Sequence, residues 1–284
     1  MTFQQDISFS GAEGLKLIAM VRGPEDGQPV LLAHGGGQTH WAWRHTVETL
    51  ADAGFRAIAL DLRGHGESDW SPEGQYHHTN FAADLLAVAD QLIGKPALVG
   101  ASLGGIAGLV AEGQLRPGSF ASLTLVDITA RPDAAGVERI TSFMGANVET
   151  GFASPDEAAA SIAAYTPNRP KRGASDSLKR YLRQGDDGRF RWHWDPKFLD
   201  KINGPRVEEH GILEAAARTL TLPVHLVRGG ASDLVSPESA SEFLALVPHA
   251  RFTDIAGAGH MVVGDRNDAF GDAIISFLQG QHAK

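Results

Sequence analysis

The sequence predicts an α/β protein with a mostly parallel sheet, interrupted once by a helical insertion. Three observations carry this reading. Short, nearly all-apolar runs such as Pro29-Val-Leu-Leu-Ala33 and Arg56-Ala-Ile-Ala-Leu60 have the length and composition of strands buried on both faces. Segments of helical spacing separate them, as right-handed βαβ crossovers require. The alternation stops between about 129 and 217, where no strand is evident, and then resumes.

Taken in order, Gly14 to Val21 is an early strand that alternates only partly. The run from Pro29 to Ala33 ends in His34 and three glycines. Trp41 to Ala53 has helical spacing and stops at Gly54, a C-cap residue. Arg56 to Leu60 is the second buried strand and leads into the loop Asp61-Leu-Arg-Gly-His-Gly-Glu-Ser68. Asn80 is placed to cap a helix running to Ile93. Pro96 to Val99 is the third buried strand, followed by a turn at Ser102, a helix from Leu103 to Leu115 and a fourth strand from Ser122 to Asp127. The insertion is rich in Ala, Arg, Asp and Pro, with helix-like pieces near 154–165, 175–184 and 206–217. Beyond it come a strand from Leu222 to Val227, a helix from Pro237 to Leu246, a strand from Ala250 to Ile255 and a last helix near 267–278. The expected organisation is one core of residues 1–128 and 218–284, with 129–217 inserted over the carboxyl ends of the strands. Open α/β sheets bind their ligands there.

The 284 residues are 43% hydrophobic and 21% charged, ordinary proportions for a soluble globular protein. The absence of cysteine excludes disulfides, a thiol nucleophile and any Cys-based zinc site. A formal charge of −9, with no Lys/Arg run longer than two, gives nucleic acid no basic surface to bind. The opening residues MTFQQDISFS lack the basic and apolar regions of a signal peptide, and no apolar stretch is long enough to span a bilayer. A cytoplasmic protein without a membrane partner is expected.

The chemistry centres on Gly100-Ala-Ser-Leu-Gly104. Five residues of this pattern are a weak signal by themselves. Their placement between a buried strand and a helix is the context a nucleophile elbow requires. Such a turn exposes Ser102 and sets the Leu103 N–H at a helix N-terminus, facing developing negative charge. Serine needs a base, and the base needs an orienting acid. Of the twelve histidines, His260 in Ala256-Gly-Ala-Gly-His-Met261 follows the last strand, on the same sheet edge as Ser102. His34 is read as bracing its own loop, His65 as structural in the turn after the second strand, and His225 as a strand residue. His193, in Arg191-Trp-His-Trp-Asp195, is placed toward the substrate, within the insertion. The remaining seven, His40 among them, read as loop or solvated positions.

Asp233 in Arg228-Gly-Gly-Ala-Ser-Asp-Leu-Val-Ser-Pro237 is the favoured acid, because the order Ser, Asp, His is the one expected of this scaffold. Asp127, ending the strand after the Ser102 helix, is its rival. A second oxyanion donor is expected from His34-Gly-Gly-Gly37, with Gly36 the first choice and Gly37 the second. No G-x-x-x-x-G-K-S/T pattern is present, so these glycines are not read as a phosphate cradle.

Together these motifs resemble the α/β-hydrolase superfamily over about 15–128 and 218–280. The resemblance implies a mostly parallel eight-stranded sheet flanked by helices, with 129–217 as a helical cap. Within that superfamily, serine rather than aspartate at the elbow points away from epoxide hydrolases and haloalkane dehalogenases. Esterases, lactonases, C–C bond hydrolases and cofactor-free perhydrolases all use serine, and ester or lactone hydrolysis is the expectation. A catalytically silent ligand-binding member of the fold is the alternative of another class. Trp41, Trp43, Phe143, Trp192 and Trp194 suggest a small apolar or aromatic substrate, although cap-to-core packing explains the same rings. No metal or organic cofactor is implied, and the expected assembly is a monomer or homodimer.

Overall fold

A computed structural model describes residues 5–165, 178, 181–202, 207–256 and 268–282. The main sheet contains β1 (Gln5–Ser10), β2 (Lys16–Arg22), β3 (Pro29–Ala33), β4 (Arg56–Leu60), β5 (Ala97–Ala101) and β6 (Ser122–Val126). After a small hairpin of β7 (Leu182–Gln184) and β8 (Phe190–Trp192), the sheet is completed by β9 (Val224–Gly229) and β10 (Arg251–Ile255). Its eight strands lie in the order β1-β2-β4-β3-β5-β6-β9-β10. Only β2 runs against the others, pairing antiparallel with β1 and β4. The apolar runs of β3, β5 and β6 are buried along their whole length, as strands covered on both faces must be.

Helices cover both faces. On one side, α1 (Arg44–Asp52) and the C-terminal helix pack with Trp43, Val47, Leu50, Phe270 and Phe277. On the other lie α2 (His78–Ala89) and α3 (Leu103–Val110). Between β6 and β9 the described residues form α4 (Ala134–Gly145), α5 (Pro155–Tyr165), α6 (Lys197–Ile202) and α7 (Val207–Arg218). The core closes with α8 (Pro237–Leu246) and α9 (Asp268–His282). No helix among the described residues is long and apolar enough to cross a membrane.

The chain leaves β3 for β4 on one side and returns to β5 on the other, so the winding direction reverses beside β3. Loops from β3 and β5 therefore diverge at one point of the sheet's carboxyl edge, opening the crevice where this architecture binds ligands. That point carries His34–Gly37 and Ser102.

Several elements differ from expectation. β1 was hidden by its polar alternation, because only Ile7 and Phe9 turn inward on an edge strand. Asn80 is not the cap of α2: it sits in the first turn, and its Oδ1 accepts from the His77 N–H at 3.1 Å. The insertion is not purely helical, since residues 182–184, expected to end a helix, form β7 instead. Most of the preceding stretch lies outside the described residues. α7 lies against the core helix layer rather than over the strand ends: a Cβ at Gly113 would meet Ala216 O at 2.3 Å.

Candidate active site

Ser102 sits between β5 and α3 with φ 45° and ψ −112°, a conformation that costs a non-glycine residue on the order of 1–3 kcal/mol. Neighbouring strand ends hold it there. The Ser102 N–H donates to Val126 O at 3.1 Å, and the Gly104 N–H donates to His34 O at 3.1 Å. Both motif glycines are required by close approach of backbone. A Cβ at Gly104 would stand 2.4 Å from Ala33 O, and one at Gly100 would stand 2.4 Å from Gly104 O.

The loop after β3 lies beside the serine, for a Cβ on Gly35 would come within 3.3 Å of Ser102 Cβ. Its amides are not equivalent. The Gly35 N–H donates to Gln38 Oε1 at 2.9 Å, and the Gly37 N–H donates to His65 Nε2 at 3.1 Å. Among the described residues, the N–H groups of Gly36 and Leu103 meet no acceptor. Gly37, the second-choice donor, thus spends its amide on His65.

Three buried histidines surround this loop. His34 Nδ1 donates to Gly35 O at 2.8 Å while its Nε2 accepts from the Leu62 N–H at 3.0 Å. His65 Nδ1 donates to Arg63 O at 2.9 Å. His193 bridges Gly66 and Gly37, accepting from the Gly66 N–H at 2.7 Å and donating from Nε2 to Gly37 O at 3.2 Å. Each ring uses one nitrogen as donor and one as acceptor, which defines a neutral tautomer. Burial lowers their pKa values to about 3 for His34, about 4 for His65 and about 3 for His193. His40, expected at a loop or solvated position, is buried, with Nδ1 3.0 Å from Asp61 Oδ2. Asp61 also accepts from the amides of His40 and Glu67, tying the two loops together. Burial pushes its carboxyl up, but contact with His40 prevails and holds it below the usual range.

The two candidate acids have different surroundings. Asp127 is buried at the end of β6 with φ 51°, its Oδ1 accepting from the Gly229 N–H at 3.0 Å and its Oδ2 from Ser232 Oγ at 2.6 Å. Asp233 is partly exposed in the turn after β9, and its carboxylate pairs with Arg139 of α4. Both stand at the carboxyl edge, on either side of one turn. His260 lies outside the described residues.

The aromatic residues divide. Trp192 and Trp194 stack with ring centroids 5.1 Å apart and are buried, part of the apolar cluster that also holds Phe152 and Phe198. Both rings lie inside this cluster. Trp194 nevertheless borders the site, since a Cβ on Gly37 would meet its ring at 3.2 Å and Met144 Cε at 3.1 Å. Phe143 is partly exposed, stacked on Tyr165 at 4.3 Å. Trp41 is partly buried beside His40, 5.1 Å between rings, and packs on the α1 and α9 side of the sheet. Met144 and Phe198, which border Gly36 and Gly37, were missed. Neither carries a sequence signal beyond ordinary apolar spacing. Among the described residues no cluster of three His, Asp or Glu side chains could hold a metal ion.

The profile of the alpha/beta hydrolase family matches residues 30–273. The chain belongs to that family. It is 28% identical, over 84% of its length and 78% of the relative's, to an esterase of Mycobacterium tuberculosis. Over 89% of its length and 84% of the relative's, it is 28% identical to a 2-hydroxy-6-oxo-6-(2'-aminophenyl)hexa-2,4-dienoic acid hydrolase of Metapseudomonas resinovorans. The crystal structure of an E-2-(acetamidomethylene)succinate hydrolase superposes with a TM-score of 0.83, covering 98% of this chain and 100% of that one at 24% identity. Fold, sheet order and family agree, and the family's relatives are hydrolases.

Proposed function

We propose that this alpha/beta-hydrolase family member is a serine hydrolase cleaving a carboxylic ester or lactone of a small apolar or aromatic substrate. One observation carries the reading. Ser102 occupies a strained elbow beside two amide donors, Leu103 and Gly36, that have no acceptor among the described residues. Strain of this kind persists only where the surroundings over-determine it, and it clusters at functional sites.

In the reaction, His260 takes the proton from Ser102 Oγ as the oxygen attacks the substrate carbonyl carbon. The resulting oxyanion is held by the Leu103 and Gly36 N–H groups. Collapse breaks the ester C–O bond, and His260 returns the proton to the departing alkoxide. Water, deprotonated by His260, then attacks the acyl-enzyme, and the acid leaves with Ser102 regenerated. Asp233 fixes the imidazole tautomer and supports its positive charge. The Metapseudomonas relative favours a second reading in which the same serine and donors serve the hydrolysis of a carbon–carbon bond. A ligand-binding protein without turnover is the remaining alternative.

Nitrophenol release from short-chain nitrophenyl esters tests the proposal. The wild-type chain is expected to turn these esters over and Ser102→Ala to lose at least about 10³-fold in kcat. Equal rates in the two proteins contradict a serine hydrolase.

A further inference from the structure

Among the described residues, His193 is the cap side chain that hydrogen-bonds to the glycine loop beside Ser102. Other hydrogen bonds anchor the same cap segment to the Leu62–Tyr76 loop and stop short of residues 35–37, one of them from Lys197 Nζ to Pro72 O at 3.0 Å. The Asp195 N–H donates to Gly64 O at 2.9 Å, Tyr76 OH donates to Asp195 Oδ2 at 2.6 Å, and Arg183 Nη2 donates to Gly66 O at 2.7 Å. Gly37 is consequently held at both its amide and its carbonyl. Its N–H goes to His65 of the core and its C=O to His193 of the cap, the two rings 5.9 Å apart. The Gly37 C=O shares its peptide plane with the Gln38 N–H, which donates to Gly35 O at 3.1 Å, and Gly35 O shares its plane with the Gly36 N–H.

We propose that His193 is a positioning residue: by gripping Gly37 O from the cap, it fixes the 35–37 peptides so that the Gly36 N–H faces the oxyanion. Cap seating and oxyanion-hole assembly are then one event, and a cap that lifts dismantles the hole. The inference rests on the hydrolase reading of Ser102.

Two substitutions separate the two bonds of the ring. In His193→Asn, the amide oxygen stands near the Nδ1 position and can accept from Gly66, but nothing reaches Gly37. In His193→Gln, the longer amide can donate to Gly37 O while the bond to Gly66 is lost. His193→Asn is expected to lose about 10- to 100-fold in kcat with KM changed less than about threefold, short of the loss on deleting an oxyanion donor. His193→Gln should stay within about fivefold of wild type. Arg183→Ala, which loosens the cap without touching Gly37, should keep kcat within about threefold.

Equal kcat in the Asn and Gln variants, a loss confined to KM, or an Arg183→Ala loss matching that of His193→Asn each overturns the grip. Should His193→Asn not fold, a folded His193→Gln decides alone: near-wild-type kcat upholds the proposal and a tenfold loss overturns it. If the wild-type chain shows no Ser102-dependent turnover, the hydrolase reading fails separately. The grip is then judged by amide hydrogen exchange, where peptides covering residues 35–37 should exchange faster in the Asn than in the Gln variant, and equal rates overturn it.

Discussion

Ser232 Oγ donates a 2.6 Å hydrogen bond to Asp127 Oδ2, and Ser232 directly precedes Asp233. The same hydroxyl accepts from the Leu234 and Val235 N–H groups at 3.0 and 3.1 Å, so Asp127 organises the turn that presents Asp233. On the proposed reading, Asp127 supports the turn and Asp233 is the acid.

Asp233→Asn should therefore lower kcat by as much as about 10⁴-fold, the loss expected when the imidazole tautomer is wrong, with little change in Tm. Asp127→Ala leaves the Ser232 hydroxyl and the Gly229 N–H without their acceptor and should cost about 1–3 kcal/mol of stability. Kinetics and thermal melts on both variants check this. A larger kcat loss in Asp127→Asn than in Asp233→Asn would exchange the roles.

Stability should fall as pH drops below about 6.5, before carboxylates titrate. Burial lowers the pKa of His34 and His193 to about 3, and of His65 and His225 to about 4. The folded values lie below the unfolded value near 6.5, so the unfolded chain binds more protons in that window. Each histidine is then neutral at no cost above 6.5 and destabilising by up to about 1.4 kcal/mol per pH unit below it. Urea midpoints measured from pH 7.5 to 5 should decline steadily under pH 6.5, and a flat profile would contradict buried neutral rings.

Gly104→Ala places a methyl 2.4 Å from the Ala33 carbonyl, where only backbone can give way. Overpacking of this kind costs about 1–3 kcal/mol and would push α3 away from β3, moving the Leu103 N–H. Both Tm and kcat should fall. A variant with wild-type values of both would show that the elbow is not this tight.

Trp192→Ala should cost about 3–5 kcal/mol, because the ring is 7% exposed within the main apolar cluster. Phe143→Ala, at a partly exposed ring, should cost less stability and act more on KM. Denaturation and substrate titration of the pair decide whether these rings belong to the fold or to the substrate.

The parallel core was legible because its central strands are almost wholly apolar and its turns carry glycine: β3, β4 and α8 fall where the spacing put them. The family followed from Ser102 and the His34 loop for the same reason, since a strained elbow and a close backbone approach demand particular residues at particular offsets. Local patterning failed where tertiary partners decide. β1 is defined by pairing with β2, and β7 by pairing with β8. His193 shows the same limit at the site, since a ring between two tryptophans says nothing of Gly66 and Gly37 more than a hundred residues away.

The most direct test of the central claim is covalent. A fluorophosphonate ester offers the nucleophile a phosphorus centre whose adduct resembles the tetrahedral intermediate, and peptide mass spectrometry locates the adduct. The account predicts stoichiometric labelling of the peptide containing Ser102, with fluoride lost, and no labelling of Ser102→Ala. Labelling at another residue, or an unlabelled wild-type chain that still hydrolyses esters, would contradict it.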